Sequence, residues 1–177
     1  LARQIEQGAP FDSFFAANRK FVEDLEKGGH ILPGTIELYA EGALVIAVKS
    51  GAGFKVARLE DLRKSNVRRI AIANPEHAPY GISAMEALKS AGLWEELKSK
   101  LVYGENVQQA VQFVRSGSAD AGIVARSVAG TPDLNWTLVD ERLHAPLDQV
   151  AVVLARTTQR APSTAFIEYV NSAHGRL

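Results

Sequence analysis

Short apolar segments rich in β-branched residues alternate along this chain with segments whose apolar residues recur at helical spacing. That alternation limits the fold more than any other feature. Leu44 to Val48 reads LVIAV, continuous and β-branched, as strands covered on both faces read. Asp12 to Ala17 (DSFFAA), Ile70 to Ala73, Leu101 to Tyr103, Gly122 to Val124, Trp136 to Val139 and Val150 to Leu154 are the other strand candidates. Between them lie helix patterns. Asn18 caps one with Phe21, Val22 and Leu25 on a face, stopped by Gly28-Gly29. Leu59 to Lys64 and Leu93 to Leu97 are short, and Ile82, Met85 and Leu88 mark a longer one. Val107, Ala110, Val111 and Val114 form a stripe that ends at Gly117, and Thr164 to Val170 is the last helix. Repeated strand-helix-strand order predicts an α/β fold, with a largely parallel sheet and helices on both faces.

Two crossings broken by Gly or Pro, near Lys49 to Gly53 and near His144 to Asp148, bracket a self-contained unit. The expectation is therefore two lobes, residues 1–50 with 145–177 forming lobe one and 51–144 lobe two, able to close by hinge motion. A length of 177 residues fits either one domain or two such lobes.

Composition excludes more than it selects. Apolar content of 46% with 23% charged residues is that of a folded globular chain. Lys plus Arg (20) equals Asp plus Glu (20), and Arg68-Arg69 is a single short basic pair that reads as a solvated strand start, so nucleic acid is not an expected partner. With no Cys there is no disulfide and no thiolate nucleophile, and His30, His77, His144 and His174 lack metal-ligand spacing. No apolar run approaches the ~20 residues of a membrane span, and no signal peptide is legible. Leu1 to Glu6 has no initiator Met and reads as the interior or end of a helix, and the ending at Leu177 is abrupt, so both ends read as trimmed.

Two helix starts carry the candidate chemistry. The loop Asn74-Pro75-Glu76-His77-Ala78-Pro79 delivers the chain to a helix at Tyr80-Gly81. Asn106 is an N-cap, and Gln109 three residues on completes a capping-box pattern. One cap leaves other first-turn amides, such as those of Val107 and Gln108, available, and helix starts bind anions. The alternative is that these starts are merely solvated, as most are. Glu76 and His77 invite an acid/base reading, but no nucleophile pattern accompanies them, and a loop pair fixing local structure is the favoured reading. Gly51-Ala52-Gly53 lacks a phosphate-loop continuation and reads as a turn.

The run Asn74-Pro75-Glu76-His77-Ala78-Pro79-Tyr80-Gly81 resembles the Asp-Pro-Glu-His-x-Pro-x-Gly segment of bacterial molybdate-binding proteins. Glu86-Ala87-Leu88, Gly92-Leu93-Trp94, Leu97, Leu101, Gly104-Glu105-Asn106-Val107 and Ala119-Asp120-Ala121-Gly122-Ile123-Val124 follow in that family's order. Upstream, the stretch Gln4-Ile5-Glu6 with Gly8-Ala9-Pro10-Phe11-Asp12 is similar to the family's approach to its second strand.

The resemblance implies a type II periplasmic binding protein fold, with two α/β lobes joined by a two-crossing hinge, that holds molybdate or tungstate between the lobes. It implies an ABC-transporter permease as partner, a periplasmic location, a monomer, no cofactor beyond the oxyanion and no enzymatic turnover. Carried over by motif, the ligand contacts are Ala16, Tyr80 and Val107, with Ala125 as a further candidate. Where the family has Ser, this chain has Ala16. Where some members place a Tyr after Gly-Ile-Val, it has Ala125, so two hydroxyls are missing, with the Ala16 amide and the Tyr80 hydroxyl as replacements. The family's first strand and its Ser- or Thr-bearing loop would precede Leu1. The rival readings are another oxyanion such as sulfate or phosphate, and a ligand-sensing domain of a transcription regulator on the same fold.

Overall fold

The computed structural model describes residues 1–175, so the end of the chain expected in lobe one, Arg176 and Leu177, lies outside the described residues. In chain order the elements are α1 (Ala2–Glu6), β1 (Ser13–Ala16), α2 (Arg19–Lys27), β2 (Glu37–Glu41) and β3 (Leu44–Lys49). After a 3-10 turn at Leu59–Arg63 come β4 (Ile70–Ala73), α3 (Pro79–Ser90), α4 (Trp94–Leu97), β5 (Leu101–Gly104) and α5 (Val107–Ser116). Then follow β6 (Ala121–Ala125), α6 (Arg126–Ala129), β7 (Leu134–Leu138), β8 (Asp148–Val153) and α7 (Arg160–Asn171).

The chain divides into two compact units, Leu1–Glu41 with Leu147–Leu177, and Gly42–Pro146. The sequence placed the first boundary after residue 50, and the structure corrects it. β3 is the fourth strand of the second unit's sheet, paired antiparallel with β6 on one side and β7 on the other. Its burial agrees, since Leu44 to Val48 are all enclosed. The turn at Ser50 to Gly53, where Gly51 and Gly53 take the left-handed conformation, is internal to that unit. The inbound crossing lies instead at Glu41–Gly42, just after an edge strand (β2) whose ELYAE pattern is too exposed to read as a strand in sequence.

The first unit is built on an antiparallel sheet ordered β1-β8-β2. The expectation of a largely parallel sheet therefore fails here, because chain order alone does not reveal that β8 returns from the second unit to lie between the other two strands. One face packs Phe14, Ala16, Val150 and Val152 against Val22 and Leu25 of α2. The other packs Ala151 and Val153 against Ile167 of α7. Asn18 caps α2 as expected, its side chain accepting the Lys20 N–H. Phe21, expected on the packed face with Val22 and Leu25, is instead 38% exposed.

The second unit carries a mixed sheet ordered β5-β4-β6-β3-β7. β4 runs parallel to β5 and β6, and β3 runs antiparallel to its neighbours. One face buries Val45, Ala47, Ala71 and Val124 under Ala110, Val111 and Val114 of α5. α3 contacts β4 and β6, burying Ala84, Ala87 and Leu88. The strand register explains the direction of travel. The β4-α3-β5 crossover steps to one side of β4, and β5-α5-β6 steps back across it, so crossover direction reverses at β4. Open α/β sheets place ligands at such a reversal, beyond the carboxyl ends of the strands. Arg68 and Arg69 lie at the opposite, amino edge, where both their backbone N–H groups donate to the Asp120 carboxylate.

Two glycines let helices approach strand ends. A Cβ on Gly81 would lie 2.2 Å from the Ala73 carbonyl oxygen, and one on Gly104 would lie 2.7 Å from the Ala110 nitrogen. Both obstacles are backbone and have little room to yield. Gly81→Ala is expected to destabilise the protein by about 1–3 kcal/mol through overpacking, and Gly104→Ala by less. Urea unfolding midpoints of the two variants check the ranking.

Candidate functional site

The candidate positions sort onto the two units. Tyr80, Val107 and Ala125 belong to the second, and Ala16, the last residue of β1, to the first. Within the second unit the three positions share one edge. β4, β5 and β6 are parallel, so Ala73, Gly104 and Ala125 end at the same side of the sheet. The β4–β6 ladder covers only Ile70↔Ala121 and Ala71↔Gly122 and stops short of the strands' carboxyl ends.

The starts of α3 and α5 are delivered to this edge side by side. Ala73 pairs with Gly104 in the β4–β5 ladder, and the Asn74 N–H donates to the Gly104 carbonyl at 2.7 Å. Asn74 then organises the loop. Its side-chain oxygen accepts the Glu76 N–H at 3.0 Å, and its carbonyl accepts the Ala78 N–H at 2.9 Å. Pro79 occupies the first helical turn, where its fixed backbone angle suits the helix. It has no N–H, so Tyr80 contributes the first amide of α3. Tyr80 is buried, 8% exposed.

At α5 the Asn106 cap forms as expected, but the return bond of the capping box goes to Glu105 rather than to Asn106 itself. The Asn106 side chain accepts the Gln109 N–H at 3.0 Å, and the Gln109 side chain reaches back to accept the Glu105 N–H at 2.6 Å. The amides of Val107 and Gln108 have no acceptor within the helix, since both lie in its first turn. At the far end, Gly117 closes the helix in the left-handed conformation, with φ 78°.

Glu76 and His77 do not form an acid/base pair. Glu76 uses its backbone in the Asn74 turn, whereas the His77 ring reaches the loop before α5, with Nε2 3.0 Å from the Glu105 carbonyl and 3.8 Å from its carboxylate. A carbonyl only accepts, so Nε2 carries the proton. His77 thus cross-links the two loops that carry Tyr80 and Val107. No cluster of three or more metal-ligating side chains occurs among the described residues.

Ala125 is fully enclosed and leads directly into α6. A hollow of about 490 Å³ opens beside it, lined in part by Arg126, Asp140 and His144. Arg126 lies over the Trp136 ring at 5.2 Å, and its N–H donates to the Ala43 carbonyl at 2.8 Å. Asp140 is fixed by its own neighbour. Hydrogen bonds from the Arg142 side chain and backbone hold its carboxyl down at about 2. Sequence reasoning passed over this rim, because Arg126 and Asp140 stand in no motif and gain their positions only from the strand ends they follow.

Among the described residues no helix is long and apolar enough to cross a membrane. The family described as bacterial extracellular solute-binding protein matches the chain over residues 1–176. Molybdate-binding protein ModA of Azotobacter vinelandii is 37% identical over 172 residues, covering 94% of this chain and 68% of that protein. ModA of Rhodobacter capsulatus is 34% identical over 173 residues, covering 96% of this chain and 67% of that protein. The solved structure of the Azotobacter vinelandii periplasmic molybdate-binding protein matches with a TM-score of 0.85 at 32% identity, over 97% of this chain and 76% of that one. Matched along almost its whole length, with strands, helix starts and glycines where the fold requires them, the chain belongs to the bacterial extracellular solute-binding protein family.

Proposed function

We propose that this chain captures a tetrahedral oxyanion, molybdate or tungstate first, for delivery to an ABC-type permease on the outer side of the cytoplasmic membrane. The observation that carries the reading is the pair of helix starts, α3 and α5, brought side by side at the carboxyl edge of parallel strands. Each start presents about half a positive charge, so two together offset a good part of a dianion without any Lys or Arg. The relatives' names supply the choice of anion.

In this reading the protein makes and breaks no covalent bond, acts as a monomer and needs no cofactor. Its work is to replace water around the anion with fixed donors, since an unpaired buried charge is costly. Val107 acts through its amide, because its side chain cannot donate. Ala125 brings no hydroxyl to the edge, and Ala16 carries none either. Apart from the Tyr80 hydroxyl, the donor set is therefore dominated by main chain, which makes it insensitive to most side-chain substitutions and sensitive to loss of an N–H.

That distinction gives the test. Val107→Ala keeps the amide and is expected to leave molybdate affinity within about twofold. Val107→Pro is tolerated in the first helical turn but removes the N–H. One charge-assisted bond lost at roughly 1.5–3 kcal/mol should weaken binding about ten- to a hundredfold. Calorimetry of both variants against molybdate, tungstate, sulfate and phosphate measures this. A folded proline variant that binds as tightly as its parent would show that Val107 is not a ligand position.

A further inference from the structure

The two crossings of the second unit are held in different ways. The inbound one is fixed by main chain, the Arg126 N–H donating to the Ala43 carbonyl at 2.8 Å and the Val139 N–H to the Leu44 carbonyl at 2.9 Å. Almost any sequence makes those bonds. The outbound segment makes main-chain bonds within its own turn, the Leu143 N–H to the Asp140 carbonyl at 3.0 Å and the His144 N–H to the Glu141 carbonyl at 3.5 Å, and side chains add to them. Asp140 accepts the Arg142 N–H at 3.0 Å, and His144 Nδ1 lies 2.8 Å from the Ala145 carbonyl. Both act within the segment itself. Glu86 reaches it from α3, its carboxylate accepting the Ala145 N–H at 3.0 Å across 59 residues of sequence. Ala145 offers the last main-chain donor of the unit, because Pro146 has none.

Glu86 sits in the middle of α3, half-buried, on the helix whose first turn carries Tyr80. Six residues separate the two, about 9 Å along the axis, which places the carboxylate outside hydrogen-bond reach of an anion at the helix start. We propose that Glu86 is a positioning residue of the oxyanion site. It ties the outbound crossing to the helix that presents Tyr80, and so sets affinity without touching the ligand. The inference rests on reading the carboxyl edge as the oxyanion site, and extends that reading to a residue that no ligand contact would reveal.

What matters in this account is an acceptor, not a charge, so the conservative variant is informative. Glu86→Gln keeps a carbonyl oxygen that accepts the Ala145 N–H, and Glu86→Ala keeps none. Two readouts are needed: amide hydrogen exchange at Ala145 without ligand, and calorimetric affinity for molybdate. Glu86→Ala is expected to speed exchange at Ala145 and to weaken molybdate binding, each by up to about tenfold, as loss of one hydrogen bond implies. Glu86→Gln should stay within about threefold of the parent in both. Unchanged exchange in Glu86→Ala would overturn the clamp. Fast exchange with parental affinity would overturn its role in the site, as would a Gln variant that behaves like Ala. If the parent itself does not bind molybdate, the oxyanion reading fails, while the exchange arm still decides whether the clamp exists.

Discussion

The contact on which the second unit depends is the approach of Gly81 to the Ala73 carbonyl. A side chain there would meet backbone at 2.2 Å, so only Gly lets α3 begin so close to the end of β4. Gly104 does the same at the end of β5, where α5 folds back over its own strand. With both helices seated, Asn74 bonds Gly104 and His77 bonds Glu105, and the two loops become one structure. The ionic interactions nearby are exposed, and exposed pairs contribute little. Sterics place the helix starts, and hydrogen bonds keep them.

Much of this was legible in sequence because the signals are local. Asn106 and Gln109 announce a capped helix at fixed spacing, and the structure contains the Asn106 cap, with the Gln109 side chain bonding the Glu105 N–H one residue earlier than the box expects. The proline before Tyr80 and the glycine after it mark a tight passage from strand to helix. The burial of Leu44 to Val48 was equally legible, since a continuous β-branched run needs cover on both faces. Which unit covers that run was not. The glycines that follow it suggested a crossing, whereas the chain had already crossed at Glu41–Gly42 after a strand with no apolar alternation. Strand direction was illegible too. The antiparallel sheet of the first unit depends on where β8 returns, a contact between segments more than 100 residues apart in the chain.

The site positions divide in the same way. Tyr80 and Val107 follow from helix-terminus physics and from the resemblance alike. Ala16 and Ala125 rest on the resemblance alone, because alanine carries no functional group by which sequence could mark it. Glu86 lies in the Glu86-Ala87-Leu88 motif, where nothing in the local pattern marks it for a role. Its partner is a backbone N–H 59 residues away, and such a bond leaves no trace in local pattern.

On the proposed reading, a donor set of main-chain amides also bears on how a carrier releases its cargo. An oxyanion held by Lys or Arg would gain strong attraction from mobile, fully charged groups, and its departure would leave those charges exposed to one another. Helix amides are partial charges fixed by the fold, so emptying the site leaves no repelling cations behind. Their contribution depends instead on position and orientation, because the effect falls off within the first turn of the helix. A small displacement of a helix start is then enough to change affinity. On the proposed reading, what holds α3 and α5 in place, from the close approach of Gly81 to the bonds made by His77 and Glu86, bears on binding as directly as the groups that face the anion.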